Sequence, residues 1–468
     1  MKIMNEKPKT GRGWRILRWI LIGCASLATL IAILYAEEDW RGKRAWENCK
    51  RELETKGAVL DWDKFIPPPV PDDQNFFKAP KMQEWFVRVP FRTPTNELSG
   101  LSTNGLSTAI ITNKNVAANY LKWSDQFQPQ FDQIREALKR PYARMDGDYS
   151  KPYEQPIPNF ISVRSVAQAL AQRAKCDLLL GQPDKALQEL TLLHDFRHLL
   201  EAAPTGKPMI LVAAMINVAV TGLYVDTVAG GLRSRAWQEP QLAALQEQLA
   251  DINLTRTVLQ ALQVGPAYTC RDVEIMPLYQ FMSSGRTPKW PDKVGAWFWP
   301  SGWTYQNMVN VAVLELKPLD GFDLADDTLA PHKFDEASRA VDKFFNHKSP
   351  YKILAARVIY SFSGAIRATA HNQTMVNEAQ IACALERYRL AHGDYPETLD
   401  ALAPQFIEKI PHDIIGGAPL IYRPTADGKF LLYSIGWNET DDGGLESPPM
   451  GANLDFTKGD WVWQYPQK

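Results

Sequence analysis

The strongest constraint in this sequence is an apolar segment near its amino terminus. Residues Trp19 to Ala36 contain no charged side chain over 18 positions, about the length that a helix needs to cross the ~30 Å hydrocarbon core of a bilayer. Three acidic residues, Glu37 to Asp39, follow the segment directly. Six basic residues and one acidic residue precede it: Lys2, Lys7, Lys9, Arg12, Arg15, Arg18 and Glu6.

This charge asymmetry predicts the orientation of the segment. Basic residues beside an apolar span are retained on the cytoplasmic side of the membrane, so residues 1–18 are expected to form a cytoplasmic tail. A cleaved signal peptide is the alternative, but Leu34 occupies a position where such a cleavage site needs a small residue. The sequence therefore predicts an uncleaved single-pass anchor in a bacterial inner membrane. The bilayer is the partner of residues 19–36, and the bulk of the chain is periplasmic.

The charge balance of the whole chain argues against nucleic acid as a partner. The 468 residues carry 52 Lys and Arg against 53 Asp and Glu, whereas nucleic-acid-binding proteins show a clear basic excess. Five cysteines are too few for a disulfide scaffold in a chain of this length. Outside the apolar segment, Cys49, Cys176, Cys270 and Cys383 leave open three pairings or four free thiols.

The chain beyond the anchor divides into three further regions by composition. Residues 37–160 are rich in proline and aromatic residues, and the run Pro67 to Pro71 is typical of an extended, polyproline-like segment. Residues 161–375 show helical periodicity, and residues 376–468 combine a helix with strand patterns. The sequence thus predicts a mainly α fold with a transmembrane helix, an α-rich extracytoplasmic body and a small α+β carboxy-terminal module.

Within the predicted body, residues 163–200 have the pattern of a helical hairpin. Apolar residues recur at three-and-four spacing, a break follows at Gly181 to Asp184, and the spacing then resumes. This stretch resembles one tetratricopeptide unit, and a single unit implies a hairpin and not a solenoid. The matching residues are Leu170, Ala174, Gly181, Ala186 and Leu190. Further helices are predicted near residues 241–262, 335–345 and 352–370.

A second apolar run extends from Met209 to Val225. Asn217 near its centre would be costly in lipid, and no cationic cluster flanks the run closely. The run therefore predicts a buried core helix, with a second membrane span as the alternative.

The carboxy-terminal region has a different pattern. A helix face ends at Gly393, a crossover containing proline follows, and Leu420–Arg423 and Phe430–Ile435 alternate as two strands. The segment from Leu385 to Gly444 resembles the soluble part of the major pseudopilins of type II secretion systems. The matching residues are Gly393, Tyr395, Pro396, Leu399, Leu402, Pro411, Tyr422, Arg423, Tyr433, Ser434 and Gly436.

The resemblance implies a calcium site. In the major pseudopilins the loop after the last strand binds calcium through acidic side chains and carbonyl groups, and oxygen donors suit this hard cation. The corresponding side chains here are Asn438, Glu439, Asp441 and Asp442, which makes calcium the expected cofactor and a solvated acidic turn the alternative. The anchor lacks the prepilin cleavage motif of that family, so pilin-like polymerisation is not expected.

Two other arrangements are candidates for a functional site. His194 and His198 share one predicted helix face, as the histidines of HExxH zinc proteases do, although Asp195 replaces the glutamate. They are the candidate zinc ligands, with an accidental pair on a helix as the alternative. Residues 289–305 contain four tryptophans, which either stack on a sugar or a peptide or cover the core. The sequence contains no GxSxG, P-loop or CxxC motif.

These features predict function in broad terms. The leading hypothesis is a membrane-anchored, extracytoplasmic binding or scaffolding protein of a bacterial cell envelope, without enzymatic activity and with other envelope proteins as partners. A membrane-tethered, metal-dependent hydrolase that uses His194 and His198 is the alternative from another class. A component of a type II secretion-like assembly is a third hypothesis, which depends on the pseudopilin resemblance.

Overall fold

Helices dominate the structure, a computed structural model. It describes residues 12–88, 97–98, 100–101, 110–201, 210–283, 287–346, 349–359, 362–446, 449–450 and 453–463. Lys2, Glu6, Lys7 and Lys9 of the basic tail and Met209 of the second apolar run lie outside the described residues.

The described elements follow in chain order. The helices are α1 (Arg12–Thr55), α2 (Met82–Phe86), α3 (Lys114–Ser124), α4 (Gln128–Ala137), α5 (Phe160–Leu179), α6 (Pro183–Arg197), α7 (Leu211–Arg233), α8 (Glu239–Ala250), α9 (Leu254–Ile275), α10 (Leu278–Ser283), α11 (Trp290–Trp297), α12 (Ser301–Leu316), α13 (Pro331–Phe345), α14 (Ala355–Val358) and α15 (Ser363–His392). The strands are β1 (Phe322–Asp323), β2 (Thr328–Leu329), β3 (Ile421–Thr425), β4 (Lys429–Ser434), β5 (Pro449–Met450), β6 (Asn453–Leu454) and β7 (Trp461–Val462).

The apolar segment lies in α1, a single helix of 44 residues. Its length and composition are compatible with a membrane anchor and also with a signal sequence. The predicted boundary at residue 36 falls inside this helix, because no proline interrupts the chain between Arg12 and Thr55. At about 1.5 Å per residue, the part after Ala36 extends roughly 28 Å beyond the apolar segment.

Helices α5 and α6 pack against each other as the predicted hairpin. The Asn159 side chain accepts a hydrogen bond from the Ser162 amide and so caps the start of α5. Gly181 turns the chain with a φ of +76°, a conformation that glycine adopts without steric cost. Pro183 then begins α6, where its missing N–H has no intrahelical partner to lose.

Helix α7 is the second helix that is long and apolar enough to cross a membrane. More than half of its most apolar window is buried in the body, and the helix packs against α5, α6, α9 and α15. Asn217 is fully buried, and its Nδ2 donates to Glu201 Oε1 at 3.3 Å. The helix thus has the surroundings of the predicted core helix.

The carboxy-terminal region contains a small antiparallel sheet in the order β3-β4-β7. The predicted hairpin pairs Ile421 with Tyr433 and Thr425 with Lys429, and its turn uses Gly428 at a φ of +70°. The sheet contacts α15, which also packs against α7, α8 and α9. The predicted boundary at residue 376 therefore falls within α15, and module and body share one hydrophobic cluster.

Two predicted helices differ from the observed ones. The helix predicted over residues 241–262 is divided into α8 and α9, because Asn253 Oδ1 accepts from the Arg256 amide at 2.8 Å and starts a new helix. The helix predicted over residues 352–370 is interrupted, since α14 ends at Val358 and α15 begins at Ser363.

The five cysteines are free thiols. Cys176, Cys270 and Cys383 are buried, and burial raises the pKa of Cys176 and of Cys383 to about 12. A thiol that stays protonated is a poor nucleophile and a poor metal ligand. These three residues therefore act as small apolar core residues.

The part of α1 beyond the apolar segment packs closely against α12. A Cβ on Gly42 would lie 2.2 Å from the Gly302 carbonyl oxygen, and a Cβ on Gly302 would lie 1.9 Å from the Glu38 carbonyl oxygen. Two helix backbones approach this closely only where glycine removes the side chains. Farther along α1, Trp46 and Leu53 pack against a second hydrophobic cluster of the body. Helix α1 is thus part of the folded body.

The glycine contact leads to a stability prediction. We expect Gly302→Ala to lower the free energy of unfolding by about 1–3 kcal/mol, the usual cost of overpacking, because the new methyl group must push α1 away from α12. Thermal unfolding of the detergent-solubilised full chain measures the loss. Gly364→Ala is the matched control, since a Cβ at that helical glycine meets no atom within 4 Å. Equal unfolding temperatures for the two variants would contradict the close contact.

Candidate functional site

A polar cluster closes the contact between α1 and the body just beyond the apolar segment. Glu38 Oε2 accepts a hydrogen bond from Trp303 Nε1 and another from the Tyr351 hydroxyl, each at 3.1 Å. Asp39 Oδ1 accepts from the Gly302 amide at 2.8 Å. That amide belongs to the first turn of α12 and has no intrahelical partner. The first residues after the apolar segment therefore determine where α12 begins.

An apolar cleft of about 330 Å³ lies between α7, α9 and α12. Most of its wall is aliphatic, with Tyr268 and Phe362 as its aromatic side chains. Two carboxyl groups line it, Asp272 of α9 and Glu315 near the end of α12. Neither residue was predicted as a site residue. In the sequence, Glu315 could be recognised only as an acidic residue at the end of an apolar helix. Its burial depends on tertiary packing, which the sequence does not show.

Both carboxyl groups are almost fully buried. Burial raises the pKa of Asp272 to about 7, against a hydrogen bond from the Tyr153 backbone. Burial raises the pKa of Glu315 to about 8, against a hydrogen bond with Thr269. Within the part of the chain that the structure describes, Asp272 Oδ1 and Glu315 Oε2 have no hydrogen-bond partner. Carboxyl groups with such raised pKa values in an apolar cleft are typical of ligand-binding and catalytic sites.

The two predicted zinc ligands do lie together, and a third candidate joins them. Asp251, directly after α8, places Oδ2 at 3.4 Å from His198 Nε2 and at 3.6 Å from His194 Nε2. The three ligand atoms lie within 4.8 Å of one another. Sequence reasoning missed Asp251 because it belongs to another helix end, and no local spacing relates it to the histidine pair.

The surroundings of this cluster favour a network of ion pairs over a metal site. Arg197 is 1% exposed, and its Nη2 donates to the same Asp251 Oδ2 at 3.2 Å. The Gln248 carbonyl oxygen lies 3.1 Å from His194 Nε2, and Arg197 Nη2 lies 3.4 Å from the same nitrogen, so a carbonyl and a guanidinium group already occupy the side from which a metal would bind. The guanidinium of Arg197 thus supplies the positive charge that a zinc ion would bring.

The side chains of the acidic loop are engaged with one another and with the loop backbone. Asp441 Oδ1 accepts from the Tyr433 hydroxyl at 3.0 Å and from the Gly443 amide at 2.8 Å. Asn438 Nδ2 donates to Asp442 Oδ2 at 2.8 Å. Calcium there would need main-chain carbonyls and water to complete its ligands, and its binding stays a prediction.

Two further acidic residues, Glu439 and Asp460, contribute contacts to this loop. Glu439 has a φ of +55°, and its Oε1 lies 3.8 Å from His332 Nδ1. Asp460 accepts from the Asp442 amide at 3.2 Å and from the Gly444 amide at 2.6 Å. Asp460 was missed because it lies on a later segment, and its carboxylate closes the loop through these two hydrogen bonds.

The four tryptophans of residues 289–305 form two pairs with different surroundings. Trp299 and Trp303 pack edge to face, with ring centroids 5.2 Å apart, in the contact between α1 and α12. Trp290 and Trp297, at the two ends of α11, are exposed. Packing over the core therefore explains Trp299 and Trp303 but not the exposed pair, Trp290 and Trp297.

The pH dependence of stability tests the burial of Glu315. Its pKa of about 8 in the folded chain exceeds the value of about 4.3 for an unfolded glutamate. The stabilisation by this group is therefore complete below about pH 4 and is lost as the pH rises through about 8. We expect Glu315→Gln to match the wild type at pH 4 and to exceed its free energy of unfolding by on the order of a few kcal/mol at pH 9.

Thermal unfolding of the full chain at these two pH values measures the effect. Glu408→Gln, at an exposed glutamate, is the control and should leave the pH profile unchanged. The same profile in Glu315→Gln and wild type would show that the Glu315 carboxyl is solvated.

Zinc addition tests the histidine cluster. We expect micromolar zinc to leave the unfolding temperature of the full chain unchanged, because Arg197 already pairs with the shared Asp251 oxygen. His198→Ala provides the matched control. A zinc-dependent rise in unfolding temperature that disappears in His198→Ala would instead establish a metal site by mass action on the folded state.

Comparison with protein-family models, with curated protein sequences and with solved structures gives no significant match. The function of this chain therefore has to follow from its own apolar helix, cleft and side-chain clusters.

Proposed function

We propose that this protein is a membrane-anchored, extracytoplasmic binding and scaffolding protein of a bacterial cell envelope. The observation that carries the proposal is the continuity of α1 from the apolar segment into the core of the body. A chain that only needed a tether could use a flexible linker. Here the Gly42–Gly302 contact and the Asp39 hydrogen bond to α12 hold the body at one height and orientation above the membrane.

The charges around the apolar segment support the proposed side of the membrane. Basic residues precede the segment and Glu37 to Asp39 follow it, which is the distribution that leaves the body outside the cytoplasm. Two of these acidic residues, Glu38 and Asp39, also bind the body. The same short stretch therefore serves both orientation and docking.

The cleft supplies the binding part of the proposal. Its volume of about 330 Å³ lies at the lower end of the range for small-molecule sites. Aliphatic walls with Asp272 and Glu315 fit a small, largely apolar ligand that carries an amine or another hydrogen-bonding group. A neutral Glu315 can donate a hydrogen bond to such a ligand, and an ionised Asp272 can pair with a cation.

The pseudopilin resemblance supports an envelope role and, as a finer hypothesis, a place in a type II secretion-like assembly. Helix α15 followed by β3 and β4 has the order of elements that the resemblance implies. However, α15 is packed against α7, α8 and α9 of its own chain. A helix covered in this way is not free to pack between copies, which favours a scaffolding component over a polymerising subunit.

Membrane retention and thiol labelling test the proposed anchoring and orientation. We expect the full chain to stay in bacterial membranes after alkaline carbonate extraction, because α1 spans the bilayer. In spheroplasts, a membrane-impermeant maleimide should label Leu324→Cys, at an exposed position of the body. It should label Lys9→Cys only after lysis. Cys49→Ser removes the partly exposed native thiol in both variants.

Two results would contradict this proposal. A soluble product that begins near Glu37 would identify the apolar segment as a cleaved signal. Labelling of Lys9→Cys but not of Leu324→Cys in intact spheroplasts would reverse the orientation.

A further inference from the structure

Four aromatic side chains near the anchor are exposed, and we refer to them as the aromatic belt. They are Trp40 of α1, Trp290 and Trp297 of α11, and Phe298, with exposed fractions of 63%, 75%, 84% and 65%. Trp290 and Trp297 are seven residues apart and so lie on one face of α11. Aromatic rings of this size are rarely left in water as a group, and such a group marks an interaction surface.

The neighbouring tryptophans show that this exposure is specific to the aromatic belt. Trp299 Nε1 donates to Thr304 Oγ1 at 3.1 Å, and Trp303 Nε1 donates to Glu38 Oε2 at 3.1 Å. Both indoles thus find partners within the body. Trp299 and Trp303 are thus packed into the body, whereas Trp290 and Trp297 of the same segment face outward.

A hydrogen bond places one end of the aromatic belt level with the end of the apolar segment. The Tyr35 hydroxyl donates to the Phe298 carbonyl oxygen at 2.7 Å, and Tyr35 is the last but one residue of that segment. Trp297 precedes Phe298 directly, and Trp40 follows the segment by one helical turn. Trp40, Trp297 and Phe298 therefore lie where a bilayer spanned by α1 would have its interface.

We propose that the aromatic belt lies in the headgroup region of the bilayer that α1 spans, so that α11 is a second, interfacial membrane contact. This inference rests on the proposed anchoring by α1. Tryptophan suits the interface because its ring is apolar and its N–H remains hydrogen-bonded to water or headgroups. The exposed Lys289 and Lys293 of this segment complement anionic phospholipids.

The second contact restrains the body in a way that α1 alone does not. A single spanning helix can rotate about its own axis and tilt in the bilayer. Trp290 and Trp297 are about 10 Å apart along α11, so the belt selects one rotation and one tilt. The cleft and the acidic loop are then presented at a defined angle to the membrane.

Spin-label accessibility in lipid nanodiscs tests the inference on the full chain. Single cysteines replace Leu27, Trp297 or Leu324 in a background with Cys24→Ser and Cys49→Ser, and each carries a nitroxide. All three positions are exposed in the protein itself, so none of the substitutions disturbs the core. The discs contain phosphatidylethanolamine and phosphatidylglycerol and one protein copy each. Collision rates with oxygen and with a water-soluble nickel chelate report the depth of each label.

We expect the Leu27 label to meet oxygen and exclude nickel, the Leu324 label to meet nickel freely, and the Trp297 label to show at least a threefold lower nickel collision rate than Leu324. A Trp297 label as accessible to nickel as Leu324, with Leu27 still protected, would overturn the inference and leave the anchor intact. Protection of Trp297 only in discs with two copies would identify a contact between copies and also overturn it. A nickel-accessible Leu27 would overturn the proposed anchoring and, with it, the interfacial contact.

Discussion

The close approach of two helix backbones at Gly42 and Gly302 is the contact on which the rest of this structure depends. It allows α1 to continue from the apolar segment into the body without a linker, and it brings Glu38 and Asp39 within hydrogen-bond distance of α12. Any side chain at either glycine would separate the helices and break those bonds. Helix α1 and the body therefore form one packed unit.

The packing of α1 against the body also fixes the positions of the remaining candidate sites. Helix α12 begins at the hydrogen bond with Asp39 and carries Glu315 into the cleft near its other end. Helix α11 precedes α12, and the bond from Tyr35 to Phe298, directly after α11, holds its end beside the end of the apolar segment. Burying the two cleft carboxyl groups costs free energy that apolar residues at these positions would avoid. This cost is the physical argument that the cleft binds a ligand.

Features encoded in consecutive residues were predictable from the sequence, and contacts between distant segments were not. The apolar segment, the helical hairpin at residues 163–200 and the β3–β4 pair each follow from local periodicity and turn residues. Gly42 gave no such signal, because its role depends on Gly302 far along the chain. Likewise, the histidine pair was visible from its spacing, whereas Asp251 and the competing charge of Arg197 depended on how helices pack.

The close contact between α1 and α12 implies that α1 and the body move as one rigid element. Pulsed electron–electron double resonance in nanodiscs tests this rigidity. It measures the distance between nitroxides at Leu34, in the apolar segment, and Leu324, on the body. A rigid element gives one narrow distance distribution with the native glycines and a broader one after Gly302→Ala. A distribution that is already broad with the native glycines would show that the body is merely tethered and would contradict a rigid connection between α1 and the body.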